Sequence, residues 1–250
     1  MVQRVLFEVR CPGCGALGWC PCAGCIAALA DPEPAWIAGA QSVALLFSHD
    51  DVGREFVHAL KYRGERAIAR WLGDSLALAH LAARDATAAI GPAVRDATAA
   101  IDLAVLDAGN AVGTASVGPA PVDIAPAGPA PVDTVTWAPT TAAHRRARGF
   151  DQAETLARST AWALGVRPAK LLRRVGSVAQ SGASREVRLA GPRFEGRSRA
   201  GGCRVLLVDD VVTTGATLRA ATAALVGAGA QAVHVAACAR RGRDRVPAAA

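Results

Sequence analysis

The sequence predicts an α/β protein: a mostly parallel sheet flanked by helices, with a small cysteine-rich module near its N-terminal end. Three observations lead there. From residue 134 onward, short apolar runs alternate with helical patterns, which is how parallel strands joined by crossover helices read. One of those runs, VLLV at 205–208, leads into two acids and then a turn of small residues that opens a helix. Residues 11–25, CPGCGALGWCPCAGC, carry two Cys-x2-Cys knuckles. At 250 residues the chain can bury one good core and carry a small appendage.

The N-terminal module, residues 1–30, is expected to be a zinc ribbon. Cys11, Cys14, Cys22 and Cys25 supply four thiolates, with seven residues between the two knuckles. That set suits a closed tetrahedral Zn²⁺ site with no position left for a substrate. Cys20 is a spare thiol that can stand in for Cys22, and disulfides are the competing reading of the cluster. The opening MVQRVLFEVRC does not resemble a signal peptide, and no apolar run reaches membrane-spanning length. The expected location is the cytoplasm, with no membrane insertion.

The main domain is expected over 40–250. SVALLFS at 42–48 reads as a strand, and from Gly53 the pattern is mainly helical. Phe56, Val57, Leu60, Ile68, Leu72 and Leu76 form its apolar stripe, with an interruption at 62–64. RDATAAIGPAV at 84–94 is then followed by RDATAAIDLAV, and GPAPVD at 118 recurs at 128. These Ala-, Pro- and Gly-rich repeats mark 84–131 as an insertion, part Ala-rich helix and part loop.

Beyond it, TVTWA is a strand ending at Pro139, and 139–149 a basic loop. FDQAETLARSTAWALG is a helix with Leu156, Ala157, Thr160 and Leu164 on one face, and QAVHVAACA at 231–239 supplies a further strand. Cys203 and Cys238 are expected on core strands as buried apolar residues.

The chemistry concentrates in 205–217, VLLVDDVVTTGAT. Asp209 and Asp210 stand at the carboxyl end of the apolar run, where ligands of parallel sheets gather. Thr213, Thr214, Gly215, Ala216 and Thr217 form the turn, whose backbone N–H groups and hydroxyls can hold a phosphate at the helix start. Carboxylates beside a phosphate cradle must face another part of the ligand or a bridging Mg²⁺. A ribose 5-phosphate meets that demand, with its hydroxyls on the acids. The turn carries neither G-x-G-x-x-G nor G-K-S/T, which argues against a dinucleotide or P-loop corner. This stretch resembles the 5-phosphoribosyl-1-pyrophosphate (PRPP) motif of the type I phosphoribosyltransferases.

Four elements in order, the cysteine knuckles, LKYRG at 60–64, RRARGFDQA at 145–153 and VLLVDDVVTTGAT, resemble the ComF/GntX family of phosphoribosyltransferase-like proteins. The resemblance covers most of the chain outside 84–131. It implies a type I phosphoribosyltransferase-like fold, in which Arg145, Arg146 and Arg148, with His144 and the turn at Gly149, face the pyrophosphate. It also implies a loop over 178–194 that closes on PRPP, with Gln180, Ser184, Arg185 and Arg188 matching and Leu189-Ala190 replacing an expected Asn. Asp209, Asp210, Arg185 and Arg188 would then be the catalytic residues, with Mg²⁺ entering alongside PRPP.

Two functional classes follow. One is transfer of phosphoribose to a nitrogen nucleophile; the sequence shows no base-reading signature that names it. The other is a non-catalytic adaptor for DNA uptake in competence, beside a helicase and single-stranded DNA. Residues 1–133 hold 9 basic and 14 acidic side chains, net −5, and 134–250 hold 19 and 7, net +12. That charge fits either class, but only 11 aromatic residues are available for stacking bases. A third role for the ribbon is assembly, against the core or against a second subunit of a homo-oligomer.

Overall fold

The structure, a computed structural model, describes residues 9–18, 20–63, 66–89, 132–175 and 192–242. Its centre is a five-stranded sheet in which every neighbouring pair is parallel. In chain order the elements are α1 (Ala23–Ala27), β1 (Ser42–Ser48), α2 (Asp51–His58), a π-helical turn (Ala59–Arg63), α3 (Arg66–Ala89), β2 (Thr134–Trp137), α4 (Ala142–Arg148), α5 (Gln152–Ala163), β3 (Arg167–Pro168), β4 (Leu172–Val175), β5 (Arg193–Gly196), β6 (Arg204–Val212), α6 (Ala216–Gly227) and β7 (Ala232–Arg240). The strand order is β1-β7-β6-β2-β3, and β4 and β5 form a separate antiparallel ribbon. No helix among the described residues is long and apolar enough to cross a membrane.

Strand side chains alternate between faces, so each central strand feeds two cores. Leu206 and Val208 of β6 join Phe47, Phe56, Leu72, Leu156 and Ala236 beneath α2, α3 and α5. Val205 and Leu207 join Leu218, Leu225, Val233 and Val235 beneath α6 and the β4–β5 ribbon. All of these are essentially inaccessible to solvent, and each buried Leu, Val or Phe contributes about 1.5–3 kcal/mol. On the first face α3 crosses α5 at Gly73, where a Cβ would collide with Ser159 and with the backbone at Thr160.

The cysteine module packs on the same face, since Cys11 and Cys25 belong to the Phe56 cluster. Ser48 N–H donates to Ala30 C=O at 2.8 Å as the chain leaves the module. Residues 31–41 then run over the opposite face: Arg240 donates to Glu33 C=O at 3.2 Å, and Ile37 is buried against the start of α6.

Several expectations are refined. The strand at β6 runs four residues past its apolar run, because β7 continues to pair with it through Asp209↔Ala237, Val211↔Ala239 and Val212↔Arg240. The basic segment expected as a loop contains helix α4. Thr141 caps it by accepting from His144 N–H at 3.2 Å, and Gly149 ends it at φ 79°. The interruption expected in the helix after Gly53 is the π-helical turn. Cys238 is buried in β7 as expected, but Cys203 immediately precedes β6 and is only partly buried. The expected insertion begins inside α3, and its residues 90–131 lie outside the described residues.

Candidate functional site

The parallel sheet presents all its carboxyl ends on one edge, and the acids of β6 lie there beside α4, α5 and the π-helical turn. Asp210 follows Leu206 and Val208 in parity, toward the face under α5. Its Oδ2 accepts from Lys61 Nζ at 3.0 Å and from Gln152 Nε2 at 3.3 Å, and its Oδ1 from Val211 N–H at 2.7 Å. Asp209 follows Val205 and Leu207 toward the other face, and its Oδ1 accepts from Asp210 N–H at 2.9 Å. Burial, followed by the charge of Asp210, pushes the Asp209 carboxyl well above the usual carboxylate range. The Lys61 ammonium opposes that rise.

After β6 the chain turns through Thr213 and Thr214, both exposed, to Gly215 at φ 73°. Only glycine takes that conformation without strain, and a Cβ there would also crowd Arg219 and Ile37. Gly215 is the N-cap of α6 and supplies no side chain, so the cap residue itself makes no side-chain hydrogen bond to the first helical N–H groups. Thr214 Oγ1 accepts from Ala216 N–H at 3.4 Å, and Arg219 Nη1 donates to Thr214 C=O at 2.8 Å. Thr217 lies in the first turn of the helix and is partly buried. A tight turn, the backbone N–H groups of the first helical turn and the positive end of a helix dipole together make an anion-binding corner.

Across the edge, α4 presents His144, Arg145 and Arg146, all exposed, and Arg148, which is partly buried. Asp151 fixes both ends of this segment. Its buried carboxylate accepts from Thr140 N–H at 3.0 Å and from Ala153 N–H at 3.2 Å, and Arg145 Nη2 lies 3.9 Å away. Arg148 stands over the Tyr62 ring at 5.2 Å from the centroid, which ties α4 to the π-helical turn. On the far side Arg174 of β4 donates to Pro139 C=O at 3.4 Å and stacks on Phe194. Burial lowers the Arg174 pKa, and the nearby Asp209 carboxylate opposes that.

The fold therefore brings Asp209, Asp210, Thr213, Thr214, Gly215, Ala216 and Thr217 together with the arginine helix. Gln180, Ser184, Arg185 and Arg188 lie outside the described residues. Lys61, Gln152 and Asp151 are site residues the sequence reading did not single out. For Lys61 a signal existed: 28 residues are Lys or Arg, yet only positions 61 and 170 are Lys. A lone lysine among arginines, inside a motif, marks a place where a compact ammonium is wanted and a planar fork is not.

The second cluster lies in the N-terminal module. Ligand atoms of Cys11, Cys14, Cys22 and Cys25 all fall within 4.8 Å of one another, so Cys22 occupies the position that Cys20 could have taken. Cys14 Sγ and Cys22 Sγ are 3.7 Å apart. Sulfurs at tetrahedral corners with metal–sulfur bonds of about 2.3 Å are about 3.8 Å apart, so the set can hold a metal. Burial opposes ionisation of Cys11, but N–H groups of Cys22, Cys14 and Gly13 bring its thiol down to about 6. Burial and the neighbouring sulfurs push Cys25 up. A Cβ at Gly13 would press on Cys25 Sγ, so that position must stay bare for the cluster to close.

Residues 169–250 match the phosphoribosyl transferase domain family model. The matched stretch takes in Arg174, the acid pair, the turn at Gly215, α6 and β7; Lys61, α4 and the cysteine cluster lie before it. The mostly parallel sheet with flanking helices thus contains a phosphoribosyl transferase domain match over 169–250, and a cysteine cluster stands near its N-terminal end. Among solved structures the chain is similar to the glutamine phosphoribosylpyrophosphate amidotransferase from B. subtilis complexed with ADP and GMP. That match has 27% identity over 42% of this chain and 22% of the other, with a TM-score of 0.32. It is also similar to a structure described as the allosteric regulatory enzyme of purine biosynthesis, at 26% identity, 42% and 22% coverage and a TM-score of 0.32. The match spans about a fifth of the length of these chains. No curated protein matches.

Proposed function

We propose that this protein binds PRPP and transfers its phosphoribosyl group to a nitrogen nucleophile. The bond from C1 of the ribose to the pyrophosphate oxygen breaks, a C1–N bond forms, and pyrophosphate leaves. One observation carries the reading: the paired acids of β6 lead directly into the Gly215 turn and the start of α6, across from the arginines of α4. The domain match over 169–250 supports it independently.

In this reading the backbone and hydroxyls of 213–217 hold the 5′-phosphate, and Asp209 and Asp210 orient the ribose hydroxyls. As C1 becomes electron-poor, the two carboxylates also balance its developing positive charge. Arg145, Arg146 and Arg148 draw the charge of the leaving pyrophosphate away from the ribose. Carboxylate oxygen suits a hard cation, and Lys61 pairs directly with Asp210, so Asp209 is the acid that would meet Mg²⁺. Magnesium bound with PRPP would supply further neutralisation of the leaving group. The four thiolates suit zinc, held structurally since no ligand position is left open. Arg185 and Arg188 are proposed to exclude water over the bound sugar, and the cytoplasm is the proposed location.

Calorimetry with PRPP, with and without Mg²⁺ and with ribose 5-phosphate as control, tests the reading. Magnesium-dependent PRPP binding is expected, followed by pyrophosphate release once an acceptor is supplied. No binding of either compound would sink it.

A second reading rests on the net charge of +12 over 134–250 and on exposed Arg145 and Arg146 of α4. There the protein is a ComF-like adaptor for DNA uptake, and the same corner docks or senses nucleotides. Its mark would be single-stranded DNA binding that weakens steeply with salt and survives substitution of Asp209 and Asp210.

A further inference from the structure

Asp210 is already furnished with donors. Lys61 Nζ and Gln152 Nε2 both reach Oδ2, and Val211 N–H reaches Oδ1. Lys61 comes from the π-helical turn and is 21% exposed, so its ammonium is held largely out of water against the carboxylate. Gln152 is 7% exposed, and its amide nitrogen must face Asp210, because the oxygen would be repelled there. That orientation leaves Gln152 Oε1 buried with no hydrogen-bond partner. The amide is thus held in place to serve Asp210 at the expense of its own oxygen.

We propose that Lys61 is the resident cation of this site: it keeps a free divalent metal off Asp210 and, with Gln152, reserves that carboxylate for a sugar hydroxyl. Without that ammonium, the Asp210 carboxylate at the carboxyl end of β6 would be open to a bare divalent ion. With the ammonium 3.0 Å from Oδ2, such an ion meets a like charge instead of an open oxygen. A hydroxyl meets no such repulsion, and it can donate to Asp210 while accepting from Lys61. Metal then enters only with the ligand, on the side of Asp209. The sugar half of this statement rests on the PRPP reading; the exclusion of free metal does not. Lys61 is a positioning residue here, acting through Asp210.

Manganese alone is the probe, titrated into the purified full chain and followed by electron paramagnetic resonance. The unaltered protein and Lys61→Arg should bind it weakly and alike, whereas Lys61→Gln should bind it tighter by about tenfold or more. The gain should vanish in the Lys61→Gln, Asp210→Asn double variant, and Lys61→Met replaces Lys61→Gln if the latter melts early. Equal manganese affinity in Lys61→Gln and the unaltered chain would overturn the exclusion, as would a gain in Lys61→Arg. A separate PRPP titration of the unaltered chain reads the other half. Failure to bind PRPP would overturn the sugar assignment and leave the manganese result to stand by itself.

Discussion

At the scale of single residues, Asp210 is the test of the site. Asparagine keeps its shape but removes the charge that faces Lys61 and the ligand. Hydrogen bonds to charged groups are worth about 1.5–3 kcal/mol, so Asp210→Asn should weaken PRPP binding by about tenfold or more in calorimetry. Unchanged affinity would remove the carboxylate from the site. A second test concerns His80, fully buried with neither ring nitrogen partnered and its ring 5.1 Å from that of His234. Burial, then the charges of His234 and Arg84, lower its pKa to about 3, with Asp85 opposing. The unfolded chain therefore takes up this proton first as pH falls below about 6.5, and stability is lost from there down to the folded value. Between pH 6.5 and 5 the loss should be about 2 kcal/mol, and His234, lowered mainly by desolvation, adds in the same direction. Urea unfolding at both pH values should show His80→Leu losing less than the unaltered chain. The acid pair and its turn were legible in the sequence because they are contiguous. Lys61 and Gln152 reach Asp210 across 149 and 58 residues, a distance that only the fold closes.

Elements show where local preference and tertiary packing disagree. Gly73 lies within α3, where alanine is the better helix former by about 1 kcal/mol. Yet a Cβ there would strike Ser159 and the Thr160 backbone nitrogen of α5. Overpacking of that kind costs about 1–3 kcal/mol, so Gly73→Ala should lower the denaturant midpoint in spite of its propensity. A raised midpoint would mean that the two helices can move apart freely. Helix α4 was read as a loop because its seven residues are too few for a periodic apolar stripe and none of them is buried. Its existence depends on capping at Thr141 and Gly149 and on Asp151 pinning both flanks. The β4–β5 ribbon escaped notice for a different reason: each strand is four residues long, rich in Arg, and lacks a continuous apolar run. Gly196 seats that ribbon on α6, since a side chain there would collide with the Ala224 carbonyl.

For the molecule as a whole, the sheet has one apolar layer on each face, and the cysteine module belongs to one of them. Cys11 and Cys25 share a cluster with Phe56, whose ring meets Trp71 edge-on at 5.7 Å. If the cluster holds zinc as proposed, stripping the metal should therefore loosen the α2–α3 layer as well as the module. A chelator strong enough for zinc is expected to lower the melting temperature by more than about 5 °C in calorimetry, and Cys25→Ser should do the same. An unchanged melting temperature would mean the module is an independent bead. The strand-helix alternation made this layering readable in advance; the path of 31–41 was not readable, because a Pro-containing stretch with only Trp36 and Ile37 as large apolar residues has no periodicity to follow. That path has a consequence for modularity. Ile37 walls the Gly215 turn from a stretch that looks like a tether between two parts. A shortened chain beginning at residue 41, chosen to isolate the sheet and its helices, would discard one wall of the Gly215 turn along with the cysteine module.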